Sequence, residues 1–190
     1  MTGVEAAPIK VVHVVTRLDF GGAQQNTLYT VSHLDRRRFE PVLVCGPGGY
    51  LDKDAQSLGG PPRPVVVRFI EDLGREINPL RDLAAFFQLW GTLRELGPDI
   101  VHTHSSKAGI LGRFAARLAG VPHIVHTFHG FGFHDRMRPA VRGLFVLLER
   151  LAARVSQRLI FVSRANMRAA RDLGLGDPAR HVLIRSAVRL

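Results

Sequence analysis

Cysteine is nearly absent from this chain, because Cys45 is the single cysteine among 190 residues. One thiol excludes an internal disulfide framework and is typical of a reducing compartment. The chain also lacks any apolar run of roughly 20 residues, the length that spans a bilayer. Its first ten residues contain no basic stretch followed by an apolar core, so we expect no signal peptide. These absences favour a globular protein of the cytoplasm.

Acidic residues are scarce relative to basic ones. The chain has 16 Asp and Glu against 26 Lys and Arg, which gives a formal net charge of +10. Such an excess favours phosphate-bearing ligands, an anionic membrane surface or nucleic acid. Aromatic residues make up only 7% of the chain, and no helix-turn-helix, zinc-finger or RNP motif is present. We therefore expect no nucleic acid among the partners.

The dinucleotide fingerprint is missing from the turn after the first predicted strand, Ile9 to Thr16. Gly21 and Gly22 are followed by Ala, Gln, Gln and Asn, so the pattern G-x-G-x-x-G is not formed. This disfavours a nicotinamide dehydrogenase and a nucleotide-sugar epimerase. The predicted helix from about Ala23 to Leu34 still places its N-terminus behind the glycines, where backbone amides and the helix dipole favour an anion.

Predicted strands alternate with predicted helices along the rest of the chain. The further strands are Pro41–Cys45, Val65–Phe69, Asp99–Thr103, His123–Thr127, Leu159–Val162 and Val182–Ile184. The further helices are Leu51–Leu58, Leu80–Leu96, one capped by Ser105 and Ser106, Arg138–Ser156, and one from Ser163 to about Gly174. This alternation predicts an α/β fold with a doubly wound, mostly parallel, Rossmann-like sheet and helices on both faces. Residues 8–190 are predicted to form one domain.

Helical spacing of apolar residues predicts which helix faces are buried. The helix Leu80–Leu96 is predicted to turn Leu83, Phe86, Phe87, Trp90 and Leu93 to the core. The helix after Ser106 is predicted to share one apolar face among Ile110, Leu111, Phe114, Ala115 and Leu118. The connection 70–79 is polar and is a candidate mobile loop, and residues 59–62 form a glycine- and proline-rich loop.

Polar residues gather just after the two central predicted strands, where an open parallel sheet binds its ligands. These residues are His102, His104, Ser105, Lys107, His126, His129 and Gly130. His102 and His104 lie two apart on a strand and so share a face, although another register would turn one of them to the helices. The nine histidines reproduce no zincin or zinc-finger spacing, so we expect no metal.

The predicted helix Arg138–Ser156 lies in a segment rich in arginine, with six between Arg136 and Arg158. One interpretation is a surface that meets anionic lipid through Arg138, Arg142 and Arg150. The other is a core helix with a solvated basic face, which the residues favour slightly.

Four strings, taken together and in order, resemble the N-terminal domain of family-4 glycosyltransferases, the retaining enzymes with two Rossmann-like domains (the GT-B architecture). They are FGGAQ at 20–24, DIVHTH at 99–104, HTFHG at 126–130 and FVS at 161–163. The chain looks most like bacterial enzymes that build capsular or other surface polysaccharides. The resemblance extends from Ile9 to Leu190.

The resemblance implies roles for individual residues. Gly21 and Gly22 would approach the donor diphosphate and the transferred sugar, where a plain strand-to-helix turn is the alternative. His129 would contact the transferred sugar as an orienting and electrostatic residue, where a histidine bonded to the backbone is the alternative. His102, His104 and Lys107 would line the acceptor side, although Lys107 fits an ordinary solvated lysine equally well.

The resemblance also implies that a C-terminal, donor-binding domain with glutamates spaced E-x7-E is absent from these 190 residues. The expected activity is transfer of a sugar from a nucleotide-sugar donor to a glycan, lipid-linked, at the cytoplasmic face of the membrane, with no cofactor and no metal. We expect the chain alone to be inactive. The alternative is a non-catalytic binding module that pairs with a separate donor-binding subunit.

Overall fold

A computed structural model of the protein describes residues 7–58, 64–134 and 136–186. The strands are β1 (Ile9–Arg17), β2 (Phe39–Gly46), β3 (Val66–Phe69), β4 (Ile100–His104), β5 (His123–Phe128), β6 (Arg158–Phe161) and β7 (His181–Leu183). The helices are α1 (Gly22–His33), α2 (Asp52–Gln56), α3 (Pro79–Leu96), α4 (Ser106–Leu118), α5 (Pro139–Arg154) and α6 (Arg164–Asp172). A 3₁₀ turn, Pro178–Arg180, precedes β7. The predicted loop 59–62 and the chain end 187–190 lie outside the described residues.

All seven strands form one parallel sheet in the order β3-β2-β1-β4-β5-β6-β7. The predicted doubly wound α/β fold is therefore confirmed. The chain winds outward from β1 in one direction through β2 and β3, and then in the other direction from β4 onward. In such a sheet the crevice between the two directions, here between β1 and β4, is where ligands bind.

Strands buried on both faces supply two apolar layers, because side chains alternate along a strand. One layer joins Val12, Val14, Val42 and Val44 to α3 and α4. The other joins Leu43 and Cys45 to α1 and α2. By the same alternation, His13 and the residues two positions away from it on β1 point to the side of the sheet that α1 covers. Thr103 and His126 point to the side that α4 covers.

The buried face of α3 differs from the prediction. Ala85, Leu89 and Leu93 are buried, whereas Leu83 and Phe87 are 55% and 52% exposed. Because the side chain of Ala85 is small, α3 packs close to the sheet through Ala85, Leu89 and Leu93, which are spaced four residues apart. The larger residues on the neighbouring stripe therefore stay at the margin, although Phe86 and Trp90 pack against the core as predicted.

Helix α4 also departs from its predicted face. Ile110 and Ala115 are buried as expected, but Leu118 is 58% exposed in the last turn. The unexpected core residue is Arg113, whose side chain is fully buried against Glu149 of α5 and forms an ion pair with it. Arg113 Nε also donates to the Gly109 carbonyl at 2.7 Å. Removing this pair of charges from water is possible only because each charge has the other as its partner.

Candidate functional site

The candidate site is the edge of the sheet where β1, β4 and β5 end. The start of α4 is locked to the end of β1 by Thr16, whose hydroxyl contacts Ser105 Oγ at 2.8 Å and accepts from the Ala108 amide at 3.2 Å. Ser105 is the N-cap residue of α4, as predicted, but its side chain makes no cap hydrogen bond, and Thr16 of the neighbouring strand accepts from the helix amide instead. Ser105 itself has a φ of 60°, which is strained for a residue with a side chain.

Gly21 and Gly22 lie between β1 and α1, as predicted. Gly21 has φ 174°, an extended value open to any residue, and α1 has no side-chain cap or acidic residue in its first turn. A Cβ at Gly22 would meet no heavy atom of the described chain within 4 Å, and one at Gly21 would meet only the end of the Gln24 side chain. Nothing inside the described fold therefore requires glycine at these two positions, and the space beside Gly22 is open.

Two other glycines, Gly46 at the end of β2 and Gly49 just after it, have no space for a side chain. A Cβ at Gly46 would lie 1.9 Å from the Leu73 carbonyl oxygen, and one at Gly49 would lie 2.6 Å from Leu18. Their role is to let backbone segments pack together. Leu73 belongs to the connection predicted as a mobile loop, but this segment is anchored: Leu73 is fully buried, and Arg75 pairs with Asp19 at 3.1 Å.

A row of histidines runs inward from the edge. His104 Nδ1 lies 3.2 Å from His129 Nε2, and His104 Nε2 lies 3.1 Å from His13 Nδ1. His102 lies beside this row, with its ring centroid 4.2 Å from that of His104 and its plane tilted by 36°, and its Nε2 is 2.7 Å from Thr127 Oγ1. The predicted shared face of His102 and His104 is confirmed, but His104 is only 2% exposed and its two ring nitrogens are taken by other histidines. His104 therefore supports the site from behind and does not line an open surface.

Burial keeps these imidazoles neutral. It lowers the pKa of His13 to about 4 and the pKa of the partly buried His129 to about 4. Burial, followed by the neighbouring histidines, lowers the pKa of His102 and of His104 well below 6.5. Near neutral pH the row therefore carries hydrogen-bond donors and acceptors without positive charge.

Three of these histidines could hold a metal ion. His13, His102 and His104 each offer a ring nitrogen, and these atoms lie within 4.8 Å of one another. Neutral imidazole is a common ligand of zinc and copper. The expectation that the protein needs no metal stays a prediction.

Lys107 lies in the first turn of α4, as predicted, but it is paired. Its ammonium contacts Asp82 of α3 at 2.6 Å and donates to the Glu76 carbonyl, and its side chain is 13% exposed. Asp82 supplies the compensation that a cation near a helix N-terminus needs. The geometry favours a structural lysine that ties α3 to α4 over the solvated lysine and over a free phosphate ligand.

A polar cleft of about 400 Å³ lies on the same edge, beside β1 and β2. Its lining includes Arg17, Asn78 and Arg81, and Arg17 Nε contacts the buried Asp19 at 2.9 Å. Asp19 therefore holds Arg17 and Arg75 together at this cleft. The sequence analysis gave Asp19 no role, because one carboxylate in a loop has no pattern to distinguish it.

Helix α5 buries a different face from the one its apolar residues suggest. Val146, Glu149, Ala152 and Ala153 are buried. Several apolar side chains are exposed instead: Val141, Leu144 and Leu147. Among the predicted membrane-facing arginines, Arg138 is exposed, Arg142 lies 5.9 Å from the Phe133 ring centroid, and Arg150 Nε donates to the Leu173 carbonyl at 2.7 Å.

The family of the chain follows from comparison with known proteins. The model of the glycosyl transferase 4-like domain matches residues 21–187, so the chain belongs to this family. This confirms the resemblance drawn from the FGGAQ, DIVHTH, HTFHG and FVS strings.

Two curated relatives are sugar transferases whose names specify lipid-linked sugars. One is the UDP-Gal:alpha-D-GlcNAc-diphosphoundecaprenol alpha-1,3-galactosyltransferase of Escherichia coli, 38% identical over 80% of this chain and 38% of the relative. The other is the N,N'-diacetylbacillosaminyl-diphospho-undecaprenol alpha-1,3-N-acetylgalactosaminyltransferase of Campylobacter jejuni, 27% identical over 74% of this chain and 37% of the relative. The chain thus spans less than two fifths of the length of these relatives.

Solved structures share the fold at low sequence identity. A glycosyltransferase from Rickettsia africae superposes with a TM-score of 0.68 at 17% identity, over 95% of this chain and 43% of that one. A UDP-N-acetylglucosamine 2-epimerase from Rickettsia bellii gives 0.65 at 15% identity, over 95% and 45%. The fold alone therefore does not separate transfer from epimerisation, and the family match makes that distinction.

No described helix is both long enough and apolar enough to cross a membrane.

Proposed function

We propose that the chain is the acceptor-side domain of a retaining glycosyltransferase that acts in surface polysaccharide synthesis. The complete enzyme moves a sugar from a nucleotide-sugar donor to a lipid-linked glycan. The observation that carries the proposal is the family match over residues 21–187. Its support from the fold is that the glycine turn follows β1, one of the two strands that border the crevice. The names of the relatives supply the substrates to try first: UDP-galactose, and a sugar linked through diphosphate to undecaprenol.

Gly21 and Gly22 face the donor diphosphate in this proposal. The uncapped N-terminus of α1 provides backbone amides and the positive end of the helix dipole, and the two glycines leave space above it. His129 faces the transferred sugar. Burial lowers the pKa of His129 to about 4, so its neutral ring contacts a sugar hydroxyl through a hydrogen bond without charge.

Fewer residues are available to contact the acceptor than the sequence analysis predicted. His102 contacts Thr127, and His104 contacts two histidines, so both act by holding the edge in shape. Lys107 is paired with Asp82. We therefore assign these three residues a supporting role, and we assign direct ligand contact to His129 and the glycine turn.

A second domain that closes over this edge would cover its exposed apolar side chains. Phe20 and Tyr50 are 69% and 76% exposed and stack with centroids 5.4 Å apart. Ile77 and Leu80, beyond β3, are 65% and 82% exposed. These residues follow β1, β2 and β3 at the carboxyl edge, where the partner domain of a two-domain transferase would exclude water from the reaction. A separate donor-binding subunit would cover the same surface, but the relatives, which are single transferases, favour the first arrangement.

The test of the proposed function uses the product of the gene's complete reading frame. Transfer of radiolabelled galactose from UDP-galactose to N-acetylglucosaminyl-diphosphoundecaprenol is measured, with UDP-N-acetylgalactosamine as the second donor. We expect Gly22→Ala and His129→Ala to reduce kcat/KM by at least about 100-fold, the scale of losing one oriented contact in the transition state. Gly143→Ala, on an exposed position of α5 with no neighbour within 4 Å, is the matched control. Equal activity in all three variants contradicts the assigned site.

Helix α5 is the proposed contact with the membrane surface. Arg138 is exposed beside Val141, Leu144 and Leu147, a combination of basic and apolar side chains typical of interfacial helices. Co-sedimentation with anionic vesicles tests it. We expect Arg138→Glu with Leu144→Ser and Leu147→Ser to weaken binding at least about fivefold, since each lost basic contact alone is worth roughly 1 kcal/mol. The exposed Arg94→Glu on α3 should change binding less, and equal effects contradict the proposal.

A further inference from the structure

We infer that His13, which lies in the core behind the site, is a positioning residue that fixes which ring nitrogen of His129 carries the proton. Through His104 it makes His129 present an Nδ1–H donor to an oxygen atom of the ligand. This inference rests on the geometry of three rings, and its meaning for sugar binding rests on the proposed function. Neither the family match nor the relatives assign a role to His13.

The three rings form one continuous chain of hydrogen bonds. The N···N distances are 3.1 Å from His13 Nδ1 to His104 Nε2, and 3.2 Å from His104 Nδ1 to His129 Nε2. A neutral imidazole has one N–H and one lone pair, so each contact needs a proton on one side only. Because His104 takes part in both contacts with opposite nitrogens, the direction of one bond dictates the direction of the other. Only two proton arrangements satisfy both bonds.

The unpartnered nitrogen of His13 selects between these arrangements. His13 is 1% exposed, and its Nε2 has no hydrogen-bond partner among the described residues. A buried N–H without an acceptor is rare in proteins and loses the full hydration of the donor. The proton of His13 therefore lies on Nδ1 and points to His104. His104 must then carry its own proton on Nδ1 and donate it to His129 Nε2.

These hydrogen bonds determine which ring nitrogen of His129 carries the proton. Its Nε2 lone pair is occupied by the His104 donor, so its proton lies on Nδ1. His129 can then donate a hydrogen bond from Nδ1 to a ligand oxygen, and it has no free lone pair with which to accept a proton. That excludes His129 as a general base in this state and suits a residue that holds a sugar hydroxyl or a developing negative charge. The lowered pKa values of His13, His104 and His129 support one proton per ring near neutral pH.

A metal ion bound by the same rings is the competing interpretation. It would take the ring nitrogens of His13, His102 and His104, which lie within 4.8 Å of one another. Both ring nitrogens of His104 already take part in hydrogen bonds to other histidines. An ion bound at either nitrogen would therefore break one of the two hydrogen bonds of the row. The hydrogen-bonded chain is therefore favoured, and metal binding becomes an outcome of the test.

Side-chain ¹⁵N NMR of the histidine-labelled chain at pH 7 reads the protonated nitrogen of each ring directly. We expect His13, His104 and His129 all to show the Nδ1–H form, in at least about tenfold excess over the Nε2–H form, given the cost of an unpaired buried N–H. Couplings across the two N–H···N bonds should link His13 to His104 and His104 to His129. This measurement on the unmodified chain does not depend on any variant folding. An Nε2–H form of His129, or the absence of both couplings, overturns the inference.

The variant His13→Asp replaces the donor by a carboxylate, which when ionised only accepts hydrogen bonds. His104 should then donate from Nε2 to the new carboxylate and accept at Nδ1, so we expect the Nε2–H form to exceed the Nδ1–H form at His129. The spectrum is recorded at a pH at which the ¹³C shift of the new carboxyl group shows it to be ionised. His126→Phe is the matched control, since His126 is equally buried but bonds Thr103 outside the chain of rings. It should leave His129 unchanged, and a His129 that keeps the Nδ1–H form in the folded His13→Asp variant contradicts the positioning role.

Zinc is the probe for the competing interpretation. If one equivalent of Zn²⁺ shifts the ring nitrogens of His13, His102 and His104 together, the group is a metal site and the inference is wrong. If added zinc leaves these signals unchanged, the hydrogen-bonded chain stands. None of these readouts requires donor, acceptor or turnover, so they can fail while the proposed function holds, and the transfer assay can fail while they succeed.

Discussion

Acid should destabilise this fold through its buried histidines, and His13 allows the size of the effect to be worked out. Its pKa is about 4 in the folded chain against an ordinary value of 6.5. Below pH 6.5 the unfolded chain therefore binds a proton that the folded chain does not bind, so stability falls as the pH falls. By linkage, this proton lowers the free energy of unfolding by about 2 kcal/mol at pH 5 and by about 0.2 kcal/mol at pH 7. The loss levels off below about pH 4, where the folded chain also binds the proton.

Urea unfolding followed by circular dichroism between pH 5 and 7.5 measures this effect. At pH 5.5 His13 alone contributes a slope of about 1.2 kcal/mol per pH unit, which His13→Phe should remove from the total. Leu43→Ala is the matched control, because Leu43 pairs with His13 across β1 and β2 and is fully buried without titrating. It should lower stability by about 2–5 kcal/mol equally at every pH. Parallel curves for the unmodified chain and His13→Phe would refute the reasoning.

Three further predictions follow from single contacts, each checked by urea unfolding at pH 7. Glu149→Ala should cost about 3–5 kcal/mol, because it leaves Arg113 charged and unpaired in the core, whereas joint replacement by Arg113→Met and Glu149→Leu should be neutral or stabilising. An equal loss in both variants would argue against a costly buried pair. Gly46→Ala should cost more than about 2 kcal/mol because its Cβ would collide with the Leu73 carbonyl, whereas Gly22→Ala should leave stability unchanged or raise it by up to about 1 kcal/mol. A costly Gly22→Ala would mean that the glycine turn serves the fold itself. Lys107→Met should cost about 1 kcal/mol through the loss of its bond to Asp82, and binding of inorganic phosphate should stay unchanged. Phosphate binding that disappears in Lys107→Met would restore the predicted ligand role.

The sheet was predictable because its strands are buried on both faces. A run such as IKVVHVVT can be predicted as a strand from its own residues, because β-branched residues between turn signals are typical of a buried parallel strand. Strand ends moved by one or two residues, as in β4, which is predicted at 99–103 and found at Ile100–His104. The order of the strands was not predicted, because right-handed crossovers alone leave several orders open.

The buried faces of helices were less predictable, because apolar spacing does not say how close a helix can approach the sheet. In α4 the small residues Ala108, Gly109 and Gly112 determine that distance. A Cβ at Gly109 would lie 2.5 Å from the His126 ring. Leu118, larger and at the last turn, consequently falls outside the contact although it continues the apolar pattern. Only the packed structure reveals which of two adjacent stripes is used.

His13 was missed for a different reason. Its strand pattern is apolar on both faces, so a single histidine in it carries no signal of its own. The pairing of β1 with β4 aligns His13 with His102, and this register depends on tertiary structure that one sequence does not contain. One hint was available: three histidines at strand positions of the same parity, on strands predicted to be neighbours, would meet if the registers matched.

The histidines that were predicted to line the site lie at different depths behind the edge of the sheet. The sequence indicates which polar residues lie at the ends of strands, and all of these residues were treated as possible ligand contacts. The structure separates them by depth: His129 is partly buried at the edge, His104 is 2% exposed behind it, and His13 is 1% exposed behind both. A charged residue in the second layer would disturb a site built for uncharged hydroxyl groups, whereas a neutral ring transmits direction without charge. The inner histidines therefore belong to the site through the polarity they impose on His129, and substitution at His13 should alter ligand binding without any contact to the ligand.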